Sequence, residues 1–157
     1  MLRTLVITGL TAATGLLCGV LAETMLARPA SVVAVSSDPA VNAILGRACQ
    51  DCHSAQTAWP WYARLPKIGP AIHRDVAAGR AQLDLSRWSE YAPAQRDEVL
   101  AEIGALVRNR LMPPSRYTLL HPHARLSADD VRRLTDWTSA ERRRMRASNA
   151  ARQMETE

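Results

Sequence analysis

The sequence of 157 residues contains no phenylalanine, a single lysine and few aromatic residues of any kind. Aromatic residues make up only 4% of the chain, so the core must obtain its bulk elsewhere, and a buried prosthetic group is one source. Three cysteines are too few for a scaffold built on disulfides. The length allows one domain with an appendage and excludes two sizeable cores.

The charge balance is modestly positive, with a formal net charge of +5, and apart from Lys67 its basic side is all arginine. Such a balance is compatible with an acidic protein partner or an anionic membrane surface, and we expect no nucleic-acid partner. The densest basic cluster, at residues 142–146, is either a solvated helix end or a docking surface. Hydrophobic residues at 47% and charged residues at 22% exclude a disordered chain and a polytopic membrane protein.

The amino-terminal segment combines a positive start with a run of 19 uncharged residues from Thr4 to Ala22. This arrangement is typical of a secretory signal peptide, and cleavage after Ala22 is compatible with the sequence. The run is also close to the length of about 20 residues that a membrane-spanning helix needs. Residues 1–27 are therefore predicted to be a signal peptide or an N-terminal hydrophobic helix that anchors the protein. Residues 28–37 read as a linker, and the remainder is exported.

After the linker, residues 38–146 show helical periodicity and no sustained alternation, which predicts an all-α domain. Asp38 and Pro39 form a typical helix start, a capping residue followed by proline at the first helical position. Ser127 and Asp130 resemble a capping box that opens the last helix. Residues 147–157 are expected to form a disordered tail.

Two prolines and one proline-rich segment divide this domain into shorter helices. Apolar residues at three- and four-residue spacing predict an amphipathic helix at 94–110, which Pro113 and Pro114 stop. Three prolines make residues 59–70 mostly loop, and a short helix is predicted at 71–82.

The sequence from Cys49 to His53, C-Q-D-C-H, matches the attachment motif of c-type haem. Two thiols one helical turn apart can reach the two vinyl groups on one edge of the porphyrin. The adjacent His53 can then supply the proximal nitrogen to iron. We therefore expect one covalently bound haem c, held by Cys49, Cys52 and His53, and export agrees with attachment outside the cytoplasm.

Three other kinds of site share parts of this motif. A structural zinc site would need a second pair of ligands, which His121 and His123 could supply although H-x-H is not the usual partner. A thioredoxin-type redox pair would need a βαβ context, which the helical pattern does not provide. A plain disulfide between Cys49 and Cys52 is compatible with an oxidising compartment.

Met112 is the first candidate for the sixth position on iron. It follows a predicted helix and precedes two prolines, so a restricted backbone would present its thioether sulfur at a fixed place. A Met/His pair raises the reduction potential and suits electron transfer. His73 is the runner-up, and an iron without a sixth side chain would be open to peroxide or small gases.

The residues that follow the attachment motif are candidates for the wall of the haem crevice. Trp59, Trp61 and Tyr62 could pack against the ring edge or donate to a propionate, although ordinary core packing would equally explain the tryptophans. Arg64, like Arg80, could pair with the propionates.

Four segments resemble the bacterial haem-binding-domain family, whose members are small, exported, mostly single-haem proteins. They read C-Q-D-C-H-S-A-Q-T-A-W-P-W-Y from Cys49, H-R-D-V-A-A-G-R from His73, L-x-x-W from Leu85 and M-P-P-S-R-Y-T-L-L-H-P from Met112. The resemblance spans residues 41–137. Because the family is similar to class I cytochrome c, it implies a helical domain around the haem. The motif helix and a C-terminal helix would cross, with a methionine loop between them.

These features together predict a mono-haem c-type cytochrome on the periplasmic side of the inner membrane, anchored or released by signal cleavage. It would carry single electrons between redox partners, either a redox protein or a membrane complex, with no small-molecule substrate of its own. We expect a carrier rather than an enzyme. The alternatives are a haem enzyme or gas or redox sensor with an open sixth position, and a fixed haem subunit of a membrane complex.

Overall fold

The first helix begins at the predicted proline. In a computed structural model that describes residues 33–155, α1 spans Pro39–Ala48. Asp38 caps it because its Oδ1 accepts a hydrogen bond of 2.8 Å from the backbone N–H of Ala40. Its buried side chains are those of Val41, Ile44, Leu45 and Ala48.

A one-turn helix carries the attachment motif and is held by the next long helix. The one-turn helix α2 spans Gln50–His53, and a 3-10 helix at Trp61–Arg64 interrupts the proline-rich loop. The following helix, α3, spans Gly69–Gln82 and packs against α2. It starts two residues before the predicted position because Pro70 is accommodated in its first turn.

The second half of the domain contains two long helices and a short one between them. They are α4 (Pro93–Arg108), α5 (Ser115–Leu120) and α6 (Ala128–Met154), with 3-10 helices at Leu85–Glu90 and Pro122–Ala124. The predicted capping box opens α6, since Ser127 and Asp130 exchange side-chain hydrogen bonds with each other's backbone N–H. Residues 147–154, predicted as part of a disordered tail, continue α6 because no proline or glycine interrupts them.

Packing of α1, α4 and α6 produces the main core of a compact unit. Buried residues from all three helices form it: Val41, Ile44, Leu45, Leu100, Val107, Leu134 and Trp137. The pair of α4 and α6 is the most extensive helix contact, and Gly104 makes it close, because a Cβ there would lie 2.8 Å from Thr138 Oγ1. Residues 33–155 are helical with no strand, which confirms the predicted all-α class.

Part of the predicted linker is attached to the domain. The backbone N–H of Val33 donates to Gln50 Oε1, and those of Val35 and Ser36 donate to Asn42 Oδ1. The Val33 and Val35 side chains pack against buried residues, which is why this stretch folds back on the domain. Residues 33–37 are thus part of the folded unit.

The predicted signal or anchor segment, residues 1–27, lies outside the described residues, as does Cys18. From residue 33 to residue 155, none of the helices combines the length and the apolar character that crossing a membrane requires.

The arginine cluster near the end of α6 is engaged in ion pairs. Arg142 and Arg146 both bond to Asp97 of α4, at 2.9 and 3.2 Å, and Arg144 pairs with Glu141. The bonds from Arg142 and Arg146 keep the pKa of Asp97 below its usual value. This cluster therefore connects α6 to α4, and acidic side chains of the domain neutralise much of its charge.

Candidate functional site

The two cysteines of the motif lie one helical turn apart. Cys49 ends α1 and begins α2, and its carbonyl accepts hydrogen bonds from the backbone N–H groups of Cys52 and His53 at 3.2 and 3.0 Å. Both cysteines are free thiols and are partly buried. The spacing thus places two reduced sulfurs and an imidazole on a single turn.

The imidazole of His53 has a defined orientation and tautomer. Its Nδ1 lies 2.9 Å from the carbonyl oxygen of Gly79 and 3.2 Å from that of Leu83. A carbonyl oxygen can only accept a hydrogen bond, so Nδ1 carries the proton and donates. The lone pair of neutral His53 is therefore on Nε2, which is the arrangement of a metal-ligating histidine with its other ring nitrogen held by an acceptor.

Gly79 allows α3 to approach the motif closely enough for this contact. A Cβ at position 79 would lie 2.8 Å from the carbonyl oxygen of Cys52, which is main chain and cannot rotate away. Gly79 and Leu83 are not among the residues that the sequence predicts for the site. An isolated glycine inside a helical pattern was the available signal, because it often marks a close backbone approach.

Burial keeps both thiols protonated. It raises the pKa of the Cys49 thiol to about 12, with a smaller contribution from Cys52. It also raises the pKa of Cys52, aided by the charges of Asp51 and Asp75. A thioredoxin-type pair needs a lowered thiol pKa, so this environment does not favour that alternative. No cluster of three or more histidine, cysteine or acidic side chains suited to a metal occurs in the described part of the chain.

A polar network joins the attachment motif to two distant segments. Tyr117 on α5 donates a 2.7 Å hydrogen bond to Asp51 Oδ2, inside the motif. Tyr62 Oη and His121 Nε2 are joined by a hydrogen bond of 2.5 Å. The rings of Tyr117 and His121 stack at 4.3 Å with an interplanar angle of 15°. The W-P-W-Y and M-P-x-x-x-Y-x-x-x-H segments therefore meet beside the motif, a juxtaposition that the sequence analysis missed.

His121, considered above only as a candidate zinc ligand, is part of this network. Burial lowers the pKa of His121. Burial, and to a smaller extent the hydrogen bond to Asp51, raises the pKa of Tyr117. Burial also raises the pKa of Tyr62. These shifts favour the neutral forms of all three rings in this partly buried cluster.

The loop after the motif is fastened to α3 through Arg80. Thr57 Oγ1 donates to the carbonyl of Asp51, and Arg80 Nη2 donates to Thr57 Oγ1 at 2.6 Å. The Nε of Arg80 is buried without a hydrogen-bond partner in the structure. The positive charge of Arg80 partly offsets the rise in the pKa of Cys52.

Neither predicted tryptophan of the crevice is in the core. Trp61 is 75% exposed and meets Tyr62 edge-on, whereas Trp59 is 44% exposed and packs its ring against His73 at 4.3 Å. Ordinary core packing, the alternative explanation, is therefore wrong for both. His73 itself is exposed on α3, and Arg64 is exposed at the end of its 3-10 helix.

The backbone before Met112 is pinned to the end of α4. Leu111 N–H bonds to the carbonyl of Leu106 at 2.9 Å and Arg110 N–H bonds to that of Val107, the pattern of a Schellman cap. Arg110 takes the left-handed conformation, with φ of 59°, and its side chain bonds to the carbonyl of Leu126. This cap turns the chain out of α4, so Met112 lies in a loop and is 36% exposed.

Exposed apolar side chains are concentrated near these segments. Apart from Met154, the large hydrophobic residues that are exposed between residues 33 and 155 all lie within 59–68 or 111–120: Trp59, Trp61, Leu65, Ile68, Leu111, Met112, Leu119 and Leu120. We refer to these exposed side chains as the apolar surface, since exposed apolar groups are where apolar ligands and partners bind. A reduced thiol pair, an imidazole with its lone pair on Nε2, an unpaired arginine donor and this apolar surface together fit a large planar group with acidic substituents, as haem has. The contacts of Met112, Trp59, Trp61, Tyr62 and Arg64 with that group stay predictions.

Comparison with known proteins gives one match. The profile of a family described as a haem-binding domain matches residues 21–140, which is more than half of the chain and contains every site residue named above. No curated protein and no solved structure matches the sequence.

Proposed function

Because the chain belongs to the haem-binding domain family, we propose that it is a c-type cytochrome with one covalently bound haem. Cys49 and Cys52 hold the haem through thioethers, and His53 is its proximal ligand. The protein carries single electrons between redox partners on the periplasmic side of the membrane. When bound, haem supplies a one-electron iron couple.

The orientation of His53 is the observation that carries this proposal. Two carbonyl acceptors at Nδ1 leave Nε2 free to bind iron and make the imidazole a stronger donor. The family supports haem as the ligand, and the C-x-x-C-H spacing supports covalent attachment.

The thiols are in the form that attachment requires. Each S–H adds across a vinyl double bond, with the sulfur bonding one carbon and the hydrogen the other, so the sulfurs must be reduced and no oxidant is consumed. Cys49 and Cys52 are free thiols on one helical turn. Met112, in its capped loop, is the proposed sixth ligand, and a Met/His pair gives a potential suited to electron transfer.

The partner is a redox protein or a membrane complex that approaches the apolar surface of residues 59–68 and 111–120. Arg64, Lys67 and Arg116 are exposed in the same segments. Their charge favours an acidic partner, since charge complementarity guides encounter and orientation.

Absorption spectra and a redox titration of the haem-loaded protein test this function. We expect a low-spin spectrum in both oxidation states and one reversible one-electron transition. We also expect the weak long-wavelength band of ferric haem that reports a bond between iron and a methionine sulfur. Met112→Ala should abolish the band and lower the potential, and His73→Ala should leave both unchanged. A low-spin spectrum that lacks this band and turns high-spin in His73→Ala, but not in Met112→Ala, would move the sixth ligand from Met112 to His73. A high-spin iron that binds peroxide or carbon monoxide readily would indicate an enzyme or a sensor rather than an electron carrier.

A further inference from the structure

We propose that Tyr117 and Tyr62 are positioning residues that hold the Met112 segment over the attachment motif and so keep the methionine sulfur at iron. The Tyr117–Asp51 and Tyr62–His121 hydrogen bonds act as one latch, which we define as these four residues. This inference rests on the proposed role of Met112 as the sixth ligand.

Both bonds of the latch cross between segments that are far apart in sequence. The partners of the first are separated by 66 residues and those of the second by 59. Asp51 lies inside the motif, whereas Tyr117 lies five residues after Met112. Tyr62 and His121 fasten the far end of α5 to the loop that follows the motif. The segment from Met112 to His121 is thus tied to the haem-bearing side at two points.

The ring stack makes the two bonds interdependent. Tyr117 and His121 are one helical turn apart on α5 and its C-cap, and their rings lie almost parallel. Tyr117 can reach Asp51 only while α5 faces the motif, and the same orientation presents His121 to Tyr62. Loss of either hydroxyl should therefore loosen the other contact.

Other ties hold the same segment, but they act at its ends or on its surface. The Schellman cap and the bond from Arg110 to Leu126 fix where the chain leaves α4. Arg47 bonds to the carbonyls of His123 and Arg125 beyond α5. The ion pair of Arg116 with Asp75 is largely exposed, and pairs of that kind contribute little. The latch is therefore the contact that orients the middle of the segment from Met112 to His121 toward the motif.

Tyr117→Phe is the sharpest variant, because phenylalanine retains the stack on His121 and removes only the hydroxyl that bonds to a carboxylate. Since a hydrogen bond to a charged group is among the stronger ones, the variant should let added imidazole displace the sixth ligand with an affinity about tenfold higher. The long-wavelength ferric band should weaken and the reduction potential should fall. Tyr62→Phe should change all three readouts in the same direction, and it provides a second test if Tyr117→Phe folds poorly.

Tyr91→Phe is the matched control. The Tyr91 hydroxyl accepts a 2.7 Å hydrogen bond from the backbone N–H of Asp84, so this variant also removes a partly buried tyrosine hydroxyl, but one outside the latch. It should leave imidazole affinity and the ferric band as in the unchanged protein. The potential is compared only between the latch variants and the unchanged protein, because the Asp84 N–H shares a peptide group with the Leu83 carbonyl that bonds to His53. Its effect on thermal unfolding measures what loss of such a hydroxyl does to stability alone.

The outcomes separate the latch from the function on which it rests. If Met112→Ala removes the ferric band and both latch variants behave like Tyr91→Phe, the latch is wrong and the ligand assignment stands. If the unchanged protein lacks the band, the ligand assignment is wrong and the latch falls with it. Band loss and raised imidazole affinity in the latch variants, absent from the control, support the proposal.

Discussion

Main-chain groups, rather than side chains, define the state of the key histidine. The carbonyls of Gly79 and Leu83 set the tautomer of His53, and Gly79 has this role only because it lacks a Cβ. The spacing of Cys49, Cys52 and His53 predicts the haem-binding turn from sequence, since all the residues are local. The carbonyl acceptors lie 26 and 30 residues after His53, and no side-chain pattern indicates a backbone oxygen.

Gly79→Ala should loosen the contact between α3 and the motif. The added Cβ would meet the Cys52 carbonyl at 2.8 Å, so α3 must shift and the bond from His53 Nδ1 must lengthen. We expect the free energy of unfolding to fall by about 1–3 kcal/mol, as for other overpacked contacts. In the haem-loaded protein the reduction potential should rise, because a weaker bond at Nδ1 makes the imidazole a poorer donor.

Denaturant unfolding and a redox titration check this prediction, with Ala78→Gly as a control for the helix propensity of the neighbouring exposed position. A potential unchanged in Gly79→Ala, together with unchanged stability, would show that the close approach is unimportant for His53.

Among the elements, helices with a clear apolar period are predicted well and short helices poorly. The start of α1 and the cap of α6 follow from local capping chemistry, and they occur where the sequence indicates. The helix α5 is only six residues long and follows two prolines, so periodicity has too few turns to reveal it. Its two ring contacts depend on how it lies in the fold, which explains why Tyr117 and His121 were missed.

Gly104 should show the cost of crowding the contact between α4 and α6. Gly104→Ala brings a Cβ to 2.8 Å from Thr138 Oγ1, so we expect destabilisation by about 1 kcal/mol or more despite the better helix propensity of alanine. Once Thr138→Ala has removed the hydroxyl, the same change should stabilise the helix by about 0.5–1 kcal/mol. Chemical denaturation of the unchanged protein, the two single variants and the double variant measures whether the effect of Gly104→Ala on the free energy of unfolding changes sign. Additive effects of the two substitutions would contradict the crowding argument.

For the molecule as a whole, ion pairs between helices stabilise the folded state above acidic pH. Asp130 in the first turn of α6 bonds to Arg47 of α1 at 2.6 Å and to Ser127. Burial alone would raise the pKa of Asp130, but the bonds from Arg47 and Ser127 outweigh it and hold the pKa below its usual value. Stability from this carboxylate is thus fully present above the unfolded pKa of about 3.9 and is lost as pH falls further.

Asp130→Asn should therefore reduce stability at neutral pH by about 1 kcal/mol or less, since the pair is partly exposed and screened. The difference from the unchanged protein should vanish as pH falls below about 4. Asp129→Asn is the matched control, because Asp129 occupies the same first turn and, among residues 33–155, its ion pair is with the exposed Arg132 of its own helix. Thermal unfolding across pH checks both, and a difference that persists undiminished in acid would contradict the linkage.

Covalent haem attachment is the central claim, and the mass of the denatured protein tests it most directly. The full chain would be exported from cells that attach c-type haem, and its mass would be measured after denaturation and acid–organic extraction. The account predicts that the mass of one haem stays with the chain, that it is lost in the Cys49→Ala, Cys52→Ala double variant, and that it is retained in Met112→Ala. Haem that extracts freely from the unchanged chain, or a chain that carries none, would contradict it.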